Sequence, residues 1–168
     1  MNCQLLANKT LTSIMKNILV SVVLFAVLWV CQTATTVVYA ATEVSAMTSQ
    51  IKRGKVITKK FCALCHGKNL EGQPDWRKRK DNGKLPAPPL NGTGHTWHHA
   101  DKLLFGMIKE GIVPPYGPPN YETDMPAWGT TLSDDDIWAV LAYIKSIWPA
   151  EAQKIQKEIN QESFKKLN

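Results

Sequence analysis

The 168-residue sequence contains no run in which apolar and polar residues alternate over the length of a strand, and it contains no internal repeat. Neither an all-β fold nor a repeat architecture is therefore indicated. The ten prolines cluster in the segments that would form loops, which argues against a coiled coil and against long strands. We predict an all-α fold with three to five helices joined by long loops, among them residues 67–94 and 112–132.

Three segments have helical character. Residues 50–61 form a short basic stretch, and residues 101–110 place apolar side chains on one face before Gly111. The clearest helix follows Ser133, which can cap a first turn made of three aspartates, and it ends at Pro149. The charged residues 150–168 predict a further, peripheral helix.

The first 40 residues have the pattern of a secretory signal peptide. Lys16 precedes the uncharged apolar run 18–30, and small residues lead to a cleavage site after Ala40. An uncleaved membrane anchor is the alternative, although thirteen apolar residues are few for a span of about 20; Met15 is an alternative start. We predict an exported, periplasmic protein with a main domain at 41–149 and a charged helical tail at 150–168.

Cysteine is scarce in the exported part. Of the four cysteines, Cys3 and Cys31 lie in the segment that would be removed, which leaves Cys62 and Cys65. Two cysteines three positions apart cannot form the disulfide framework of a small secreted protein.

The remaining pair belongs to the motif Cys62-Ala63-Leu64-Cys65-His66, for which four chemistries are possible. A thioredoxin-like dithiol would need a preceding strand, and a zinc site would need a second ligand pair. A disulfide across two residues would leave His66 without a role. Covalent haem attachment uses all three side chains, because the thiols form thioethers and the histidine reaches the iron. We favour haem attachment and retain the others as alternatives.

A second axial ligand is the further requirement of such a site. Met125 lies in a predicted loop and is followed by Pro126, so it has no evident packing role. Met107 lies on the apolar face of a predicted helix, and Met47 lies near the terminus. Met125 is the favoured ligand, with ligation by a second histidine as the alternative; the candidates for it are His95, His98 and His99.

From Gly54 to Trp148 the sequence resembles the class I c-type cytochromes, in particular a bacterial monohaem subgroup. Gly54 resembles the glycine at which that family's first and last helices cross, and Tyr143 the aromatic residue of the partner helix. The stretch 87–92 resembles the segment in which a proline carbonyl, here Pro88, accepts a hydrogen bond from the axial histidine. Residues 125–128 resemble the methionine loop. Thr58 departs from the family, which has an aromatic residue there.

The resemblance implies one covalently bound haem c, held by Cys62, Cys65, His66, Pro88 and Met125, with His66 and Met125 as iron ligands. The implied function is single-electron transfer rather than enzymatic catalysis. The alternatives are a haem-bearing subunit of a membrane oxidoreductase and a haem enzyme or sensor with a displaceable sixth ligand.

A positive rim around the haem site predicts acidic redox partners, such as a terminal oxidase or a dehydrogenase, and we expect neither nucleic acid nor a small-molecule substrate. Lysines near the motif are expected to surround the exposed haem edge: Lys59, Lys60 and Lys68. The basic run Arg77-Lys78-Arg79-Lys80 is interpreted as a solvated loop.

Overall fold

The computed structural model describes residues 42–165. The chain divides into two units, Met1–Ala46 and Met47–Asn168; of the first unit, residues 42–46 are described and are helical. The signal peptide predicted for residues 1–40, its alternative as an anchor and the possible start at Met15 all lie outside the described residues. From residue 42 to residue 165, no helix is both long enough and apolar enough to cross a membrane.

The second unit is built of helices and long loops. It begins with helical residues 47–61 (α1), which are followed by α2 (Ala63–His66), a 3₁₀ helix (Thr96–His98), α3 (Asp101–Glu110), α4 (Asp134–Ser146) and α5 (Ala150–Lys165). No strand occurs in the described part of the chain. The prediction of an all-α fold is confirmed.

Helices α1 and α4 cross at Gly54. A Cβ atom at this position would overlap the carbonyl oxygen of Ala139 and approach the Cβ of Tyr143, so only glycine lets the two backbones come this close. One turn later, Thr58 is 1% exposed, and its hydroxyl has no hydrogen-bond partner among the described residues. The ring of Phe61 contacts Trp128 edge to face, with 5.4 Å between centroids.

The core lies between α3, α4 and α5. Helix α3 packs against α4, and α5 packs against the 3₁₀ helix. Burial of these apolar side chains is the main favourable contribution to folding. The buried members of the core are Leu70, Leu104, Leu141, Ile144, Trp148 and Ala152.

A polar network around Asp101 fastens α5 to this core. The Asp101 carboxylate accepts hydrogen bonds from Lys145 Nζ (2.6 Å), Gln156 Nε2 (2.5 Å) and Asn160 Nδ2 (3.0 Å). Gln156 Nε2 also donates to the carbonyl of His99 at 3.3 Å. Its charge predicted a peripheral position for α5, whereas Gln156 is only 1% exposed. A long polar side chain can be buried when its donors and acceptors are hydrogen-bonded, and the Gln156 amide of α5 is bonded in this way.

The start of α4 is stabilised by a capping box. Ser133 Oγ accepts from the Asp136 backbone N–H at 3.2 Å, and the Asp136 carboxylate accepts from the Ser133 N–H at 3.2 Å. The hydrogen bond from Ser133 Oγ is the main reason that the pKa of Asp136 lies below its usual range, and Arg53 lowers it further.

Replacing Ser133 with alanine should lower the free energy of unfolding by about 1 kcal/mol at pH 7. Because the pKa of Asp136 is lower in the folded state, its contribution is present above the usual carboxyl pKa of 3.8 and is lost as the pH falls through the folded value. The decrease in the free energy of unfolding caused by S133A should therefore be larger at pH 7 than at pH 3, as measured by denaturant unfolding. An equal loss at both pH values would contradict this role of the cap.

Candidate functional site

The Cys62–His66 motif forms a helical turn that continues from α1. Cys62 N–H donates to the carbonyl of Thr58 at 2.9 Å, and His66 N–H donates to the carbonyl of Cys62, also at 2.9 Å. Residues three and four apart lie on the same side of such a turn, so Cys62 shares a side with Cys65 and His66. Both thiols are free. Burial, with a smaller effect from the neighbouring Cys65, raises the pKa of Cys62 to about 11, so this thiol is protonated at neutral pH.

The ring of His66 is oriented by the Pro88 carbonyl. His66 Nδ1 lies 2.7 Å from that oxygen. Since a carbonyl can only accept, Nδ1 carries the proton, and Nε2 is the nitrogen left with a free lone pair. Burial lowers the pKa of His66, and the bond to Pro88 only partly opposes that shift. The histidine is thus a neutral imidazole, the form that binds a metal ion.

Local backbone hydrogen bonds hold the Pro88 segment beside the motif. Gly72 N–H donates to the His66 carbonyl at 2.7 Å, and Gln73 N–H donates to the Ala87 carbonyl at 2.9 Å. Gly72 has a φ of +76°, and a Cβ atom there would lie 2.5 Å from the Pro89 nitrogen. A residue with a side chain would therefore push the proline segment away from His66.

Met125 lies in a loop that is bonded to α3 just after the methionine. Its N–H donates to Thr123 Oγ1 at 3.0 Å. A few residues later, Trp128 N–H and Gly129 N–H donate to the carbonyls of Ile108 and Lys109 in α3, both at 2.9 Å. The methionine is half-buried.

One apolar cavity brings the predicted residues together. It measures about 370 Å³, within the range of roughly 300–1,000 Å³ that is usual for cofactor sites, and Cys62, Cys65, His66, Pro88 and Met125 all line it. Two free thiols, a neutral imidazole and a thioether on an apolar cavity form the donor set for haem c. The residues present therefore fit the haem. The apolar walls of the cavity include Leu104, Ile108, Leu132, Val140, Leu141 and Ile144.

The other axial-ligand candidates divide into two groups. Met47 is 64% exposed and does not line the cavity, and His98 stacks on Trp97 outside it. Met107, His95 and His99 line the cavity together with Met125. Between residues 42 and 165, no group of three or more His, Cys, Asp or Glu side chains is placed to hold a metal ion, so these residues offer no ligand set for zinc.

Aromatic residues of the loops complete the cavity; His95 and His99 were candidate ligands in the sequence analysis, whereas Trp76 was not assigned to the site. Trp76 stacks on His95 with 5.4 Å between ring centroids and 7° between planes, and His95 meets His99 edge to face at 5.3 Å. Burial lowers the pKa of both histidines. The sequence indicated His95 and His99 as alternative ligands, but nothing in the residues around Trp76 indicated that it would stack on His95.

Comparison with protein families identifies a family for most of the second unit. Residues 49–144, more than half of the chain, match the family described as cytochrome c oxidase, cbb3-type, subunit III. Comparison with curated proteins gave no match, and comparison with solved structures gave none either. The family match agrees with the all-helical architecture and confirms the cytochrome c-like fold. The chain therefore belongs to this family of c-type cytochromes, which implies a covalently bound haem c.

Proposed function

We propose that the protein is an exported monohaem cytochrome that carries single electrons between redox partners. The observation that carries the proposal is that Cys62, Cys65, His66 and Met125 all line the same apolar cavity. Membership of a c-type cytochrome family supports an electron-transfer role, and the cavity supplies a complete set of donors for it.

Each residue has a distinct task in this proposal. Cys62 and Cys65 bind the haem vinyl groups as thioethers, and His66 binds the iron through Nε2. Pro88 holds the His66 ring and increases its basicity through the 2.7 Å hydrogen bond. Met125 supplies the second ligand from the 112–132 loop. The bound haem supplies reversible one-electron exchange, and a methionine ligand in an apolar wall favours the reduced state and a high potential.

The proposed location is the periplasm, and the proposed contact surface is the positively charged region beside the attachment turn. The protein acts in the periplasm and meets acidic redox proteins such as a terminal oxidase or a dehydrogenase. Lys59, Lys60 and Lys68 are exposed beside the attachment turn. The Lys60 ammonium lies 4.9 Å from the centre of the Phe61 ring, which itself lines the cavity. Positive charge at the edge of a site speeds encounter with acidic partners.

Replacing Met125 with alanine tests the ligand set. We expect the purified ferric protein to show the weak far-red sulfur-to-iron charge-transfer band of a low-spin methionine-ligated haem. M125A should lose this band completely and become high-spin, because alanine offers the iron no thioether at this position. Its reduction potential should fall.

Met107→Ala is the matched control, because Met107 is a half-buried methionine that lines the same cavity. M107A should lose stability and keep the band. A band that survives in M125A and disappears in M107A would reassign the ligand. A high-spin wild type would favour the alternative of a haem enzyme or sensor with an open sixth position.

The family description favours a second candidate, a haem-bearing subunit of a membrane oxidoreductase, because it names an oxidase subunit. Extraction of the native protein with and without mild detergent, followed by size exclusion, separates the two. A free carrier elutes at the size of one chain in both cases, and a subunit elutes with its complex only after detergent extraction.

A further inference from the structure

The basic run, to which the proposed function gives no role, forms an ordered loop. We call residues 76–84 the basic loop. The Lys80 N–H donates to the Lys84 carbonyl and the Gly83 N–H donates to the Lys80 carbonyl, both at 2.9 Å. Arg79 also donates from its guanidinium to the Gly83 carbonyl at 2.6 Å. These bonds close a turn, so the cations of the loop have defined positions.

Only two of the five cations in the basic loop form salt bridges, although the loop also contains the exposed Asp81, and the pKa of Asp124 is lowered by Lys84 and, to a smaller extent, by Lys80. Lys78 pairs with Asp75 at 3.1 Å, and Lys84 pairs with Asp124 at 2.6 Å. Arg77, Arg79 and Lys80 are exposed, and none of them has a carboxylate oxygen within 4.0 Å in the part of the chain that the structure describes.

Aromatic rings fix both arginines without cancelling their charge. The Arg77 guanidinium lies 4.6 Å from the centre of the Trp76 ring, and that of Arg79 lies 5.8 Å from the centre of the Tyr121 ring. A cation over an aromatic face is attracted by the ring quadrupole and keeps its full positive charge. A carboxylate would have fixed the arginine equally well and removed the net charge.

The rings that hold these arginines are part of the cavity wall. Trp76, Tyr121 and Lys80 all line the cavity that also contains Met125 and His66. The three unpaired cations therefore lie at the rim of the proposed haem site, on the side of the methionine loop. By contrast, the carboxylates of Asp134, Asp135 and Asp136 stand together at the start of α4.

We propose that Arg77, Arg79 and Lys80 form the docking surface for an acidic face of the redox partner protein and bring that face to the mouth of the cavity. This inference rests on the proposed function, because it requires a haem in the cavity. Opposite charge at a cavity rim raises the rate of encounter, and exposed guanidinium groups bind carboxylates in a bidentate manner. An anionic membrane is a weaker match, since binding to a bilayer surface uses apolar side chains that insert. The aromatic residue of the basic loop, Trp76, instead packs on His95.

The test compares two triple variants of the haem-loaded protein that remove the same charge. R77Q/R79Q/K80Q neutralises the docking surface, and K154Q/K157Q/K165Q neutralises three exposed lysines of α5. The probe is ferricyanide, an anionic oxidant that takes one electron from the reduced protein and becomes ferrocyanide. At low ionic strength, the docking variant should react about tenfold more slowly than the wild type, with a weaker salt dependence. The α5 variant should change the rate by about twofold or less.

A second measurement tests for an acidic polypeptide. Poly-L-glutamate should slow the ferricyanide reaction of the wild type and of the α5 variant, and it should leave the docking variant unaffected. Equal slowing of both triple variants would overturn the proposal, because net charge alone would explain it. Binding of the wild type, but not of the docking variant, to phosphatidylserine vesicles without any effect of poly-L-glutamate would also overturn it, in favour of a membrane surface.

The failure of docking and the failure of the proposed function give different results. If the chain carries no covalent haem, or if the wild type is high-spin, the proposed function fails before any rate is measured. If both triple variants show the wild-type absorption spectrum and react at equal rates, the electron carrier stands and the docking surface is wrong.

Discussion

Replacing Gly54 with alanine should lower the free energy of unfolding by about 3 kcal/mol or more, the upper end of the cost of overpacking. The added Cβ would overlap the Ala139 carbonyl, which is backbone and cannot rotate away. In an open helix the same change would stabilise by up to about 1 kcal/mol. The cost of the steric overlap therefore exceeds the gain in helix propensity from alanine, and α1 and α4 must move apart. Guanidinium unfolding of the haem-loaded protein, followed by circular dichroism, measures the loss.

Val56→Ala is the control for this effect, because Val56 lies two residues later in α1 and is 66% exposed. It should change stability by no more than about 0.5 kcal/mol. A G54A protein as stable as the wild type would show that α1 and α4 do not cross as closely as the structure has them.

The double variant C62S/C65S should lose covalent haem completely. A serine hydroxyl has nearly the shape of the thiol and does not form the thioether, so any haem that still binds should be extracted under denaturing conditions. In the wild type, haem should stay on the chain through denaturing electrophoresis, and the mass of the intact chain should include it. Each single variant should keep one covalent bond and retain the haem.

Leu64→Ala is the matched control, since Leu64 lies within the same turn and is 92% exposed. It should retain covalent haem at the wild-type level. Haem that stays attached to C62S/C65S would place the attachment elsewhere, and a wild-type chain without added mass would return the motif to the dithiol, zinc and disulfide alternatives.

The features that could be predicted from the sequence depend on local chemistry. Ser133 followed by three aspartates fixes the start of α4, because the cap and the helix dipole act within one turn. Helix α3 spans Asp101–Glu110, as its apolar spacing and Gly111 predicted. The choice of Pro88 and Gly54 came from the resemblance, since nothing in the adjacent residues shows what a carbonyl or a glycine will meet across the fold.

The features that could not be predicted depend on distant partners. Nothing beside Asp101 in the sequence indicates its contacts with Gln156 and Asn160, which join residues 55 and 59 positions apart. The basic loop looked like a solvated surface because pattern alone does not reveal which cations have carboxylates beside them. In the sequence, Thr58 indicates only the loss of an aromatic contact. That its hydroxyl is buried without a hydrogen-bond partner between residues 42 and 165 follows from the way α1 packs.

The network around Asp101 also has a consequence for the order in which the protein is assembled. The attachment turn is closed by bonds between residues four positions apart, whereas the His99 carbonyl is tied to α5 across 57 positions. Contacts between distant residues are slower to form than local ones. We therefore expect the turn that carries the thiols and His66 to form while the cavity wall with His95 and His99 is not yet folded. The cavity would then stay open to an incoming macrocycle until α5 bonds the His99 carbonyl and fixes this wall.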